Sequence, residues 1–217
     1  MVEFRLGSAQ QPLRRILCLG SHCDDIEIGC GGTILRLLRE NPEVEIYWNV
    51  FSSTPIRKRE ALRAANLFLA PAEEKKIVIR NCRDGFFPSL YAQIKGEFEK
   101  LKKGFDPDLI LTHYRHDLHQ DHRLINELTW NTFRNHLILE YEIPKYDGDL
   151  GAPNFFVELK ESICRTKVDY LRKAFVSQRE KHWFTEDAFS ALMRLRGVEA
   201  HSSTRFAEAF YARKVRF

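Results

Sequence analysis

The sequence predicts a single α/β domain over residues 1–217: a Rossmann-like, doubly wound, mostly parallel sheet with helices on both faces. Three observations carry this prediction. From Arg15 to about Asn135, short apolar runs alternate with segments of helical periodicity, the pattern of right-handed βαβ crossovers. Two histidine–aspartate clusters each follow a strand-like run, at the edge where open parallel sheets bind ligands. No linker, repeat or low-complexity stretch divides the 217 residues, a length that suits one large core.

In chain order, Arg15–Gly20 is an apolar run closed by glycine and reads as the first strand. Ser21-His22-Cys23-Asp24-Asp25 follows directly. Gly29-Cys30-Gly31-Gly32-Thr33 reads as a tight loop entering a helix N-terminus, where a ligand can approach the backbone. Its spacing is not the GxGxxG of dinucleotide folds. Thr33–Glu40 has apolar residues at helical spacing, and Val44–Phe51 is rich in β-formers. Ile56–Leu69 is an amphipathic helix stopped by Pro71. Ile77–Ile79 is a third strand, Tyr91–Lys103 a helix closed by Gly104, and Asp108–Thr112 a fourth strand. His116-Asp117-Leu118-His119-Gln120-Asp121-His122 comes next, then a helix from about Arg123 to Asn135. Beyond Leu139 the alternation changes. Tyr141–Tyr146 and Asn154–Leu159 read as short strands, Glu161–Phe175 and Asp187–Arg196 as helices, and Phe206–Tyr211 as a last strand completing the same domain.

Composition narrows the function. Hydrophobic content of 44% and charged content of 29% are those of an ordinary globular protein. No apolar run approaches the roughly 20 residues of a membrane span, and the first residues lack a signal-peptide core, so the expectation is a cytoplasmic protein without a membrane partner. The five cysteines are odd in number and form no CxxC pair, which supports neither a disulfide framework nor a zinc ribbon. A net charge of +4 without a basic tract gives no footprint for nucleic acid. The small excess, with Arg57-Lys58-Arg59, leaves room for an anionic substrate such as a nucleotide sugar or phosphorylated sugar.

In His22-Cys23-Asp24-Asp25 two oxygen donors sit two and three positions after an imidazole. Adjacent aspartates on a loop point different ways, so one can bind metal while the other faces substrate. Three His and Asp ligands leave coordination positions free, as catalytic rather than structural metal sites do. A spare carboxylate beside such a metal can act as general base on water. Single histidines are usually surface or core residues; five at positions 22, 113, 116, 119 and 122, interleaved with aspartates, point to a metal-dependent hydrolase.

The residues also resemble a family. His22-x-Asp24-Asp25 followed by Gly29-x-Gly31-Gly32 resembles the AHPDDxxxGxGG signature of the LmbE/PIG-L deacetylases, and Thr112-His113-x3-Asp117-x-His119-x-Asp121-His122 resembles their THxxxDxHxDH motif. Arg57-x2-Glu60-Ala61 is similar to the family's RxxEA segment, and Ser177-Gln178, Arg196-Gly197 and Ala207-Glu208-Ala209-Phe210 to its SQ, RG and AEAF positions. The resemblance implies one zinc per chain held by His22, Asp25 and His122. It implies Asp24 as general base and later acid, His119 as stabiliser of the oxyanion, and Asp121 as the carboxylate that orients and charges His119. It implies a small N-acetylated amino-sugar substrate, and the family's symmetric assemblies make a homo-oligomer an expectation. Specificity in the family is set by pocket loops, here Asp84–Leu90 and Tyr141–Phe155.

Beside this stand readings that need no family. Arg57, following the second strand, reads as a substrate contact, with Glu60 one turn on as its partner. His113 divides between substrate contact and support. His116 reads as exposed, and Asp117 as holding the loop by hydrogen bonds. Cys23 replaces the family's proline and, with an exposed thiol, would make the loop oxidation-sensitive. The competing functions are a metal-dependent amidase of a non-sugar conjugate and a non-catalytic sugar- or nucleotide-binding module.

Overall fold

A computed structural model describes residues 6, 7 and 12–215. Its sheet is built from β1 (Arg15–Gly20), β2 (Glu45–Ser52), β3 (Lys75–Cys82), β4 (Leu109–His113), β5 (Leu137–Tyr141), β6 (Phe155–Leu159) and β7 (Phe206–Ala212). The helices are α1 (Asp25–Glu40), α2 (Pro55–Phe68), α3 (Tyr91–Gly104), α4 (Gln120–Thr132), α5 (Glu161–Ala174) and α6 (Glu186–Glu199). The strand order is β3-β2-β1-β4-β5-β7-β6. The first five strands are parallel, and β7 runs antiparallel to both its neighbours. The order reverses between β1 and β4, which makes the carboxyl ends of those two strands the switch-point crevice of a doubly wound sheet. Both histidine–aspartate clusters start there.

Alternation along β1 divides the core. Ile16 and Cys18 face a layer that includes Ile34 of α1, Phe68 of α2, Leu171 of α5 and Met193 of α6. Leu17 and Leu19 face Ile94 and Phe98 of α3 and Leu124 and Leu128 of α4. Burial on both faces explains why these strands read as continuous apolar runs. Among the described residues no helix is long and apolar enough to cross a membrane.

The glycine stretch is not the predicted loop. Helix α1 starts at Asp25 and runs through Gly29, Gly31 and Gly32. Glycine is poor in helix interiors, and packing explains its presence. A Cβ at Gly29 would overlap the Tyr141 ring, one at Gly31 would lie 2.5 Å from Phe68, and one at Gly32 would lie 2.6 Å from Leu159. Gly29 and Gly32 bring α1 onto the sheet, and Gly31 lets α2 pack against it. Glu208 of β7 then accepts the Gly32 and Thr33 amides at 2.8 and 2.6 Å, while the Lys167 ammonium of α5 bonds Glu208 at 2.7 Å and the Ile28 carbonyl at 2.6 Å. This buried pair ties together the three elements behind the first cluster.

The fifth strand is Leu137–Tyr141 rather than the expected Tyr141–Tyr146, and α4 ends at Thr132. The stretch after Tyr141 crosses the carboxyl edge of the sheet as irregular chain. It thereby becomes a wall of the site.

Candidate functional site

The turn after β1 carries His22 and Asp24, and α1 begins on Asp25. Asp24 occupies the N-cap position, yet its carboxylate makes no capping bond. It is turned instead to Arg57, 2.9 Å away. Asp25 folds back, its Oδ2 accepting the His22 amide at 2.6 Å. From the other side of the switch point, α4 presents Asp121 and His122 in its first turn, with His119 as N-cap.

Three donor atoms from these elements form a small triangle. His22 Nδ1 lies 3.1 Å from His122 Nε2 and 3.4 Å from Asp25 Oδ2, and His122 Nε2 lies 3.6 Å from Asp25 Oδ2. Ligands about 2.1 Å from a tetrahedral ion stand about 3.4 Å apart, so the separations of these three atoms match those of ligands sharing one divalent cation. The third imidazole of the floor, His113, also approaches Asp25 Oδ2, at 3.2 Å. Its Nε2 accepts the Ser21 amide at 2.9 Å, so that lone pair is committed. His113 is fully buried and stacks on His122, ring centroids 3.9 Å apart. It supports the triangle from beneath.

Neighbours hold the triangle in place. Asp117 Oδ2 pairs with His122 Nδ1 at 2.9 Å, the carboxylate–imidazole arrangement that fixes a metal ligand's tautomer. Its Oδ1 accepts the His119 amide at 2.8 Å, and Lys145 donates to Oδ2 at 3.0 Å and to Asp149 at 2.6 Å. Asp117 thus holds its loop, as the sequence suggested, and also aims His122. Burial pushes the His122 imidazole down to about 4, helped by His113, so it is neutral at pH 7. Burial alone would raise Asp25, but the three imidazoles around it hold its carboxyl well below the usual range. Burial opposes charge on His22, but Asp25, Asp121 and Asp84 outweigh it and raise that histidine well above its ordinary value.

Asp121 is fully buried, and its carboxylate accepts the Gly85 and Phe87 amides at 2.7 and 3.1 Å and lies 3.3 Å from His22 Nε2. Asp121 meets His119 through its backbone: its amide donates to His119 Nδ1 at 3.2 Å. With Nδ1 accepting, a neutral His119 carries its proton on Nε2. Burial and the neighbouring His22 lower its pKa, which favours that neutral form. Burial raises Asp24 against the opposing pull of Arg57, moving its carboxyl toward the range of a working base.

Arg57 borders the cleft, but its guanidinium is engaged by Asp24 and, at 2.9 Å, by Glu60, with Phe175 5.1 Å beneath it. Glu60 also accepts the Ser177 amide and hydroxyl, both at 2.7 Å, which joins the RxxEA and SQ segments. The cleft walls include Lys145, Tyr146, Lys181 and Trp183. Asp84 and Lys145 were not identified by residue in the sequence; the only signal was their place in loops following strands. Cys23 is buried with its thiol on the Ser52 carbonyl, and burial raises it to about 12, so it is no exposed redox handle.

A family model described as PIG-L, GlcNAc-PI de-N-acetylase, matches residues 17–133, a span that holds both clusters. Solved structures share the fold. The N,N'-diacetylchitobiose deacetylase of Pyrococcus horikoshii is 19% identical, over 93% of this chain and 84% of its own, with a TM-score of 0.68. The conserved protein TT1542 of Thermus thermophilus is 20% identical, over 93% and 96%, with a TM-score of 0.72. GalB, the 4-carboxy-2-hydroxymuconate hydratase of Pseudomonas putida, is 14% identical, over 94% and 98%, with a TM-score of 0.68.

Proposed function

Because this chain belongs to the PIG-L family of de-N-acetylases, we propose that it is a zinc-dependent hydrolase that removes an N-acetyl group from an amino sugar or sugar conjugate. The observation that carries the reading is the His22–Asp25–His122 triangle with the Asp24 carboxylate beside it, outside the triangle and paired with Arg57. Bound by these three residues, a divalent cation supplies Lewis acidity that makes water a better nucleophile and an acetamide carbonyl a better electrophile. Asp24 takes the proton of the attacking water and returns it to the departing amine. Arg57 keeps that carboxylate charged in a buried place. His119, with its proton on Nε2, donates to the oxygen on which charge develops. Asp121 fixes the frame by holding His22 and the Gly85–Phe87 backbone, and its amide sets the His119 tautomer.

The substrate is read from the walls. Trp183 and Tyr146 offer faces for a sugar ring. Arg57 and Lys145 are already neutralised by carboxylates, so an anionic group on the substrate would find its cation at Lys181, whose ammonium lies 5.5 Å over Trp183. A deacetylase in the same fold acts on diacetylchitobiose, a small N-acetylated sugar, which supports that class of substrate here. The fold also carries a hydratase, so the reaction itself is the test. Zinc content after dialysis should be about one per chain and should be lost in His122→Ala. Acetate release from N-acetylated sugars should fall by roughly 10²–10⁴-fold in Asp24→Asn with metal retained. Full turnover in that variant, or loss of its metal, would remove the role given to Asp24.

A further inference from the structure

His22 faces two groups of ligands, one with each ring nitrogen. Nδ1 belongs to the triangle with Asp25 and His122. Nε2 lies 3.0 Å from Asp84 Oδ1 and 3.3 Å from Asp121 Oδ2. Donor atoms of His22, Asp84, His119 and Asp121 all lie within 4.8 Å of one another. Orienting one ring N–H takes one acceptor. Here two carboxylates face it, and the His119 ring stands edge-on to the His22 ring with centroids 4.8 Å apart.

We infer that His22, Asp84, His119 and Asp121 form a second, weaker site for a transition-metal cation, and that its occupation inhibits the enzyme. The donor chemistry fits zinc, with two imidazoles and two carboxylates; magnesium and calcium prefer oxygen alone. The site is weaker for three reasons. His22 must release its Nε2 proton to solvent. His119 must shift its own proton to Nδ1 and give up the 3.2 Å bond from the Asp121 amide. The Asp84 side chain is 73% exposed, so ordering it costs freedom. Inhibition rests on the function proposed above: an ion on His119 takes the group that faces the developing oxyanion.

The test titrates metal-free protein with zinc by equilibrium dialysis and elemental analysis, for the wild type and Asp84→Ala. The wild type should bind about two ions, the second at least tenfold more weakly, and lose acetate-releasing activity as the second binds. Asp84→Ala should keep the first ion, which shows that it is folded, and lose the second, so that excess zinc no longer lowers its rate. Magnesium should not fill the second site. A wild type that saturates at one ion overturns this inference and leaves the single-metal hydrolase standing. A second ion that persists in Asp84→Ala overturns it as well. A wild type that binds no ion removes the hydrolase reading too.

Discussion

Asp117→Asn tests how the site is held. In the native protein Asp117 Oδ1 accepts the His119 amide at 2.8 Å, and Oδ2 faces His122 Nδ1 at 2.9 Å and Lys145 at 3.0 Å. Asparagine has the same shape but only one acceptor oxygen. If that oxygen stays on the His119 amide, the new NH2 meets His122 Nδ1–H and the Lys145 ammonium donor against donor, and only Lys145 keeps another acceptor, Asp149. His122 relieves this by moving its proton to Nε2, the nitrogen that faces His22 and Asp25, and so covers the lone pair a metal needs. If the amide is flipped, the His119 backbone loses its acceptor and α4 its entry. Either way zinc should bind about 10–100-fold more weakly, or about 1.4–2.7 kcal/mol, the usual cost of removing a carboxylate behind a histidine ligand. The assay is competition with a chromophoric chelator. Asp108→Asn is the control, since Asp108 holds the Arg14 and Arg15 amides at 2.9 and 2.8 Å at the start of β1, the opposite end from the site. Zinc affinity within about twofold of the wild type would refute the second-carboxylate role of Asp117.

Three further outcomes follow from the same geometry. His22 is raised and therefore protonated in the metal-free protein at neutral pH, whereas His122 at about 4 is not, so zinc binding near pH 7 should release about one proton and tighten as pH rises; calorimetry in buffers of different ionisation enthalpy measures this, and zero proton release refutes it. Arg57→Met removes the charge that opposes the burial of Asp24, so the carboxyl should rise further and the acid limb of kcat/KM should move to higher pH; an unmoved limb would show that Arg57 does not set the base. Gly29→Ala puts a methyl into the Tyr141 ring, whose hydroxyl donates to the Leu19 carbonyl at 2.6 Å, and should cost about 1–3 kcal/mol, read in denaturant unfolding; unchanged stability would refute the close approach of α1 to β5.

The parallel half of the fold was legible because its signal is local. Arg15–Gly20 and Asp108–Thr112 are apolar runs closed by turn residues, and chemistry placed directly after such runs must lie at the carboxyl edge of the sheet. The glycine stretch was misread because local propensity and packing disagree there. Nothing within residues 25–33 announces that Tyr141, Phe68 and Leu159 will press on that helix, more than thirty residues away in the chain. The fifth strand was displaced because Leu137-Ile138-Leu139, following a helix at once, has no period that separates it from more helix. In the site, the residue types that come together were visible and their pairings were not. The family resemblance implied that the Asp121 carboxylate orients His119. The entry of α4 instead sends the Asp121 carboxylate to Gly85, Phe87 and His22, and leaves His119 only its amide.

The pattern of charge in the cleft argues for a bound cation independently of the motifs. Each buried permanent cation is shared by two carboxylates, Arg57 by Asp24 and Glu60, Lys145 by Asp117 and Asp149. The buried Asp25 and Asp121, and the exposed Asp84, are left with the imidazoles of His22, His113 and His122 as their nearest side-chain counter-charges. An unneutralised buried carboxylate is costly, and a protein relieves it by taking up a proton or an ion. The raised His22 is that relief in the metal-free state: the charged ring lies between the Asp25 carboxylate of the triangle and the Asp84 and Asp121 carboxylates of the outer group. A divalent ion at Nδ1 answers Asp25 directly and leaves the Nε2 proton to Asp84 and Asp121. The same histidine thus couples the charge of the inner site to the readiness of the outer one, which is why the two should fill in order and not together.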